Sequence, residues 1–246
     1  MDVIGIIPAR YGSTRFEGKV LADLNGKPMI QWVWEAAKKT KILDDVIVAC
    51  DDKRIEETVK SFGGKVVFTS KEHPCGSDRI SEVVNPLDIK AVVNIQADEP
   101  LIEPVMIDNI ARPLLDDSSL SVTTLMKKIE AANEITDPNV VKVVVDKQGY
   151  ALYFSRAAVP YKRQAEDVVT YYKHIGLYAY TKDFLFIFKN LPESALEKAE
   201  KLEQLRILEA GFKIKVIQTN VSTIGVDTPE DLQKVKKVLA KRSVLK

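Results

Sequence analysis

The stretch Val3-Ile4-Gly5-Ile6-Ile7-Pro8-Ala9-Arg10-Tyr11-Gly12-Ser13-Thr14-Arg15-Phe16-Glu17-Gly18-Lys19 decides how the rest of the chain is read. An apolar run closes at Pro8, and a small, polar, glycine-bearing segment with three cations follows. Such a run bounded by turn signals predicts a strand buried on both faces of a parallel sheet. In an open α/β sheet, ligands bind in the loops after the carboxyl ends of strands. Backbone N–H groups among small residues, together with Arg10, Arg15 and Lys19, suit a polyphosphate. A nucleoside triphosphate is therefore the expected occupant. A P-loop is excluded, because five residues separate Gly12 from Gly18 where that motif has four, and Val20 stands where Ser or Thr is needed. No dinucleotide fingerprint follows the strand.

Outward from this stretch, strands and helices alternate. Val46 to Cys50, Val66 to Phe68 and Ala91 to Ile95 read as strands. Helices are expected from Pro28, around Ile55, Val59 and Phe62, around Ile80, Val83, Val84 and Leu87, and from about Pro104. This rhythm predicts a doubly wound, mostly parallel α/β sheet. From about residue 118 to 180 strand-favouring segments dominate: Ser121 to Met126, Val140 to Val145, Ala151 to Ser155 and His174 to Tyr180. They are read as a smaller β-rich insertion within one domain spanning residues 1–246. A polar loop is expected at Ala157 to Thr170. Helices follow at Lys182 to Lys189 and Ala199 to Ala210, a strand at Phe212 to Thr219, another ending at Ile224 to Asp227, and a last helix at Pro229 to Lys241.

Composition narrows the function. The 246 residues carry 36 Lys and Arg against 35 Asp and Glu, a net charge of +1, which gives no basis for nucleic-acid binding. Two cysteines without metal-ligand spacing argue against a disulfide framework. Met1 leads directly into the first strand, and no apolar run reaches membrane-spanning length. A soluble cytoplasmic protein without membrane insertion is expected.

Asp98 follows an apolar strand onto the same edge as the N-terminal loop, where a carboxylate can hold Mg²⁺ against phosphate oxygens. Asp227 is the second candidate. Pro229 suits the first helical position, so Thr228 is the better cap and Asp227 remains for a ligand. Two such carboxylates suit a metal-assisted nucleotidyl transfer. Ser77 is read as a helix cap, and with Arg79 as a source of donors to a nucleobase. His174, Arg156, Glu203 and Gln204 are unremarkable when judged singly: a packing histidine, an exposed arginine and a solvated helix face.

Several motifs coincide with one family. They include Ile7-Pro8-Ala9-Arg10-Tyr11-x-Ser13-Thr14-Arg15-x-x-Gly18-Lys19, His73-x-x-Gly76-x-Asp78-Arg79 and Asn94-Ile95-Gln96-x-Asp98-Glu99-Pro100. Further blocks are Tyr153-Phe154-Ser155-Arg156, His174-Ile175-Gly176-x-Tyr178-x-Tyr180, Leu202-Glu203-Gln204-Leu205-Arg206 and Gly225-Val226-Asp227-Thr228-Pro229. In this order they resemble the CMP-Kdo synthetases (3-deoxy-manno-octulosonate cytidylyltransferases). The resemblance implies a Rossmann-like nucleotidyltransferase fold and a Mg²⁺-dependent, homodimeric enzyme of lipopolysaccharide biosynthesis; the strand-favouring segments of the insertion need another surface to bury a face, so the dimer contact is expected there. It would join CTP and Kdo to give CMP-Kdo and pyrophosphate. It also implies nucleotide contacts from Pro8, Ala9, Arg10, Ser13, Arg15, Lys19, Ser77, Arg79 and Gln96. Sugar contacts would come from Gln96, Arg156, His174, Tyr178, Glu203 and Gln204, and metal ligation from Asp98 and Asp227. Arg156 would clamp the sugar carboxylate through its planar fork. The chain departs from the family pattern at Phe16-Glu17, Ala97, Cys75 and Ser77. CMP-sialate synthesis is the nearest rival activity, and a non-catalytic nucleotide sensor is the rival of another class.

Overall fold

A computed structural model describes residues 1–12, 16–73, 76–164 and 166–244. The chain runs β1 (Val3–Ala9), a 3-10 turn at Lys19–Leu21, β2 (Asp23–Leu24), β3 (Lys27–Pro28), α1 (Met29–Ala37), β4 (Asp45–Cys50), α2 (Lys53–Ser61) and β5 (Lys65–Phe68). It continues through α3 (Gly76–Val84), β6 (Ala91–Asn94), α4 (Pro104–Asp116), β7 (Val122–Lys128), α5 (Ala132–Thr136), β8 (Lys142–Val145), β9 (Ala151–Ser155) and β10 (Tyr172–Thr181). It ends with α6 (Lys182–Asn190), α7 (Ala195–Glu200), α8 (Gln204–Glu209), β11 (Lys215–Gln218) and α9 (Pro229–Val244).

Nine of the described strands form one sheet, in the order β11-β7-β10-β6-β1-β4-β5 with β8 and β9 branching from β10, while β2 and β3 pair separately. β1 lies parallel to both β4 and β6, with Ile6 opposite Ile47 and Asn94. Val3, Ile4, Ile6 and Ile7 are fully buried because helices cover both faces, which is why β1 reads as an uninterrupted apolar run. α1, α2 and α4 supply one face of the core, and α3, α6 and α8 the other. The mostly parallel α/β architecture expected from the sequence is therefore observed.

The strands of segment 118–180 belong to the same sheet. β7 and β10 are interior strands of the main sheet, and the β8–β9 hairpin alone extends off its path. β10 runs antiparallel to both β6 and β7. Tyr178 of β10 sits opposite Asn94, the last residue of β6. The part of β10 before Tyr178 therefore runs past the carboxyl end of β6, over the ligand-binding edge, and carries His174 with it. A register shift between Ile175 and Tyr178 marks a bulge there, a device that re-aims side chains beside sites.

Two expectations change. The helix read over Ala199 to Ala210 is broken, because Lys201 adopts a left-handed conformation (φ 53°) that ends α7. Residues 224–227 form no strand; their backbone is tied to the β6 loop instead, Val226 N donating to Asp98 O at 2.9 Å.

Candidate active site

The N-terminal loop is folded back on itself. Gly18 N donates to Tyr11 O at 2.9 Å, and Gly18 takes a positive φ of 66°. A side chain at Gly18 would also meet the Tyr11 ring at about 3.0 Å, so the position needs glycine twice over. Tyr11 is held in turn by Asp51, whose Oδ1 accepts from Tyr11 N at 3.2 Å, and by the Arg54 guanidinium stacked 3.3 Å from its ring centroid. Ser13 and Arg15 of this loop, and Cys75 beside Ser77, lie outside the described residues. Arg10 is exposed at the end of β1, while Ala9 is buried.

The tightened loop delivers Lys19 to the sheet edge. Its Nζ donates to Asp98 Oδ2 at 2.6 Å, to Asp227 Oδ1 at 3.1 Å and to Val226 O at 3.1 Å. Burial acts to lower the Lys19 pKa, but the charges and hydrogen bonds of Asp98 and Asp227 outweigh it and hold it above the usual value. Three oxygens, two of them from carboxylates, thus converge on one cation. Hard oxygen donors in this number suit Mg²⁺, which commonly takes one or two protein carboxylates and completes its shell with phosphate oxygens and water. Asp98 and Asp227 fit the metal. Thr228 caps α9, its Oγ1 accepting from Asp231 N, as expected, and so leaves Asp227 on the cleft side of the cap.

Glu99 backs this cluster. It is buried, and desolvation first, then the neighbouring Asp98, pushes its pKa up to about 8. A side chain at Gly225 would come within 3.1 Å of Glu99 Oε1, so Gly225 lets the 224–227 strap close against Glu99.

A cleft of about 320 Å³ is lined by Ser77, Asn94, Gln96, His174, Tyr178 and Gln204 together with Tyr180, Phe188, Lys201 and Glu203. Gln96 Nε2 donates to Asn94 Oδ1 at 3.2 Å. His174 is enclosed between the Phe154 and Tyr178 rings at 5.0 and 5.3 Å, with Nε2 3.1 Å from Thr124 Oγ1. Burial drives its pKa down to about 3, so the ring is neutral and can serve as a hydrogen-bond partner but not as a cation. Burial also raises the pKa values of Tyr178 and Glu203. The Gln204 side-chain Nε2 is buried with no hydrogen-bond partner among the described residues. Ser77, read as a cap, stands inside the first turn of α3, which begins at Gly76 against Pro8.

Two expected contacts are redirected. Arg79 is almost fully buried; it donates to Asp51 Oδ2 at 2.8 Å and to Thr69 Oγ1. Its donors therefore fasten α3 to the end of β4, where Asp51 follows Cys50, rather than facing a base. Arg156 donates from Nε to Glu200 O at 2.7 Å and from Nη1 to Pro138 O at 2.8 Å, while its amide donates to Glu200 Oε2. Two of its three guanidinium nitrogens are thus held by backbone carbonyls. The sequence reading missed Asn94, Lys201, Tyr180, Phe188 and Glu99. Asn94 carried a usable signal, a polar residue at the end of the apolar run Ala91 to Ile95. Lys201 carried none.

The family model described as cytidylyltransferase matches residues 4–215. The chain belongs to the cytidylyltransferase family. A cytidylyltransferase of Geotalea uraniireducens (strain Rf4), a 3-deoxy-manno-octulosonate cytidylyltransferase, is 51% identical over 98% of this chain and 100% of its own. The protein of that name from Geobacter sulfurreducens (strain ATCC 51573 / DSM 12127 / PCA) is 48% identical over 96% of this chain and 98% of its own. Among solved structures, a CMP:2-keto-3-deoxy-manno-octonic acid synthetase complexed with CTP superposes with a TM-score of 0.94 at 44% identity, covering 98% of this chain and 100% of that one. A 4-diphosphocytidyl-2C-methyl-D-erythritol synthase from Anaerococcus prevotii shares the fold alone, with a TM-score of 0.63 at 15% identity.

Proposed function

We propose that this cytidylyltransferase joins CTP to Kdo, releasing pyrophosphate and forming CMP-Kdo. The observation that carries this reading is the convergence of Lys19, Asp98 and Asp227, in a chain 51% identical over 98% of its length to an enzyme named 3-deoxy-manno-octulosonate cytidylyltransferase. Arg10 and Lys19 would hold the triphosphate. When bound, Mg²⁺ would offset phosphate charge and lower the pKa of the attacking sugar hydroxyl. Asp98 and Asp227 would hold it, and the cleft orients the sugar so that its hydroxyl reaches the α-phosphorus in line. Neutral His174 and the amides of Asn94, Gln96 and Gln204 supply hydrogen bonds to hydroxyls without adding charge.

The same reading includes a Mg²⁺ requirement, a cytoplasmic homodimer and a role in supplying activated Kdo for lipopolysaccharide. Exposed Leu152, Tyr161 and Val168 on and after the β8–β9 hairpin support an apolar self-contact there. Among the described residues, no helix is long and apolar enough to cross a membrane. The test is pyrophosphate release from CTP with Kdo, with sialic acid and with neither, each with Mg²⁺ and with a chelator. Release that needs both Kdo and Mg²⁺ is expected. Equal release with sialic acid, or none with Kdo, would overturn the assignment.

A further inference from the structure

We propose that Lys201, acting with the Gln204 amide, seats the carboxylate of the sugar acid. This rests on the reaction proposed above and names the recognition within it. A sugar acid brings an anion into the cleft, so a cation or a cluster of donors must meet it. The residue expected for that role, Arg156, spends its Nε and Nη1 on Glu200 O and Pro138 O. Among the described residues lining the cleft, the charged side chains are Lys201 and Glu203, since His174 is neutral.

The backbone presents Lys201 deliberately. Its left-handed conformation (φ 53°, ψ 49°) is uncommon for a side chain of this kind and ends α7 at the rim of the cleft. The turn is held from both sides. Leu202 N donates to Glu197 O, and Leu205 N to Leu202 O. Buried Glu197 pairs through both oxygens with Arg206, so α7 and α8 are clamped across the break. Arg206 also lies 5.4 Å from the centroid of Phe188, which lines the cleft. The turn is thus rigid, and a rigid seat loses less on binding than a mobile one.

Gln204 is the independent observation. Its side chain is 7% exposed, it lines the same cleft, and its Nε2 has no acceptor among the described residues. A buried donor without a partner is costly unless a ligand supplies one. A carboxylate offers two oxygens, one for the amide donor and one for the ammonium of Lys201, to which no described carboxylate is paired.

The experiment measures steady-state KM for Kdo at saturating CTP, KM for CTP, and the inhibition constant of the C1 carboxamide of Kdo. It compares wild type with Lys201→Met, which keeps an apolar stem, and Lys201→Arg, which keeps the charge. Loss of one charge-assisted contact predicts a rise in Kdo KM of about tenfold for Lys201→Met, with CTP KM unchanged and near-normal Kdo KM in Lys201→Arg. The neutral carboxamide should bind wild type and Lys201→Met equally. A merely structural Lys201 would weaken acid and amide by the same factor, and that result, or an unchanged Kdo KM in Lys201→Met, overturns the proposal. A wild-type enzyme inactive with Kdo would overturn the reaction itself, and this seat with it.

Discussion

Lys19 Nζ lies 2.6 Å from Asp98 Oδ2 and 3.1 Å from Asp227 Oδ1, so one ammonium joins two carboxylates that are otherwise remote in the chain. The same oxygens are those that would hold a divalent ion, and lysine and metal compete for them. Removing the ammonium leaves two carboxylates facing each other, which raises their demand for a cation. Lys19→Met should therefore bind Mn²⁺ more tightly than wild type in the absence of nucleotide, by about tenfold, while binding CTP more weakly. Calorimetry with Mn²⁺ alone and with CTP checks both signs. Unchanged Mn²⁺ affinity would mean that the ammonium and the metal do not share a seat.

Asp98→Asn and Asp227→Asn retain shape and lose the anion. Each should reduce kcat by at least ~100-fold, the scale for removing one preorganised electrostatic contact. Both side chains are partly exposed, 30% and 48%, so the fold should tolerate the change. Circular dichroism and thermal melting should stay close to wild type. Near-normal turnover in either variant would remove that residue from the metal seat.

Arg79 is a stability residue. It is paired with Asp51 at 2.8 Å in a nearly dry setting, with 4% and 13% side-chain exposure. Arg79→Ala leaves the Asp51 charge without its partner and should cost about 3 kcal/mol. The double variant Arg79→Leu, Asp51→Leu should recover much of that loss. Urea titration of the three proteins decides the matter, and a stable Arg79→Ala with a large rise in the KM for CTP would restore the base-reading role.

His174 makes the protein sensitive to acid. Its folded-state pKa of about 3 lies below the ordinary value of 6.5. Below pH 6.5 the unfolded chain binds a proton that the folded chain refuses, so stability is full above 6.5 and falls as pH drops toward 3. His174→Gln removes that proton while keeping a polar partner for Thr124. Its stability should fall less steeply across this window, by up to one proton in slope. Parallel slopes in urea melts from pH 7 to 4 would show that His174 does not carry the effect.

What could be read from the chain follows from how residues are used. β1 and β6 were legible because burial on both faces forces continuous apolar runs. That Asp98 and Asp227 would meet at one edge was partly legible: Asp98 follows β6, and Thr228 rather than Asp227 caps α9. The break at Lys201 was hidden, because Glu197 to Glu209 keeps a helical pattern while the turn is fixed by the Glu197–Arg206 pair across it. Residues 224–227 look like a strand since Ile224 and Val226 are apolar, yet Val226 is buried against α9 through Leu232, Val235 and Leu239 instead. The fates of Arg79 and Arg156 depended on Asp51, Thr69, Glu200 and Pro138, partners that no local spacing identifies.

The Lys19–Val226–Asp98 linkage has a consequence for the order of synthesis. Lys19 and Asp98 leave the ribosome early, whereas Val226 and Asp227 come after β11 has been made. A nascent chain can assemble β1, β6 and the nucleotide loop and still lack the second carboxylate. The strap is then locked down by α9, whose Leu232, Val235 and Leu239 pack with Leu24 and Met29 near the amino terminus. If both carboxylates are needed as proposed, chemical competence would come only after this strap is made, and a product terminated before it would be inert.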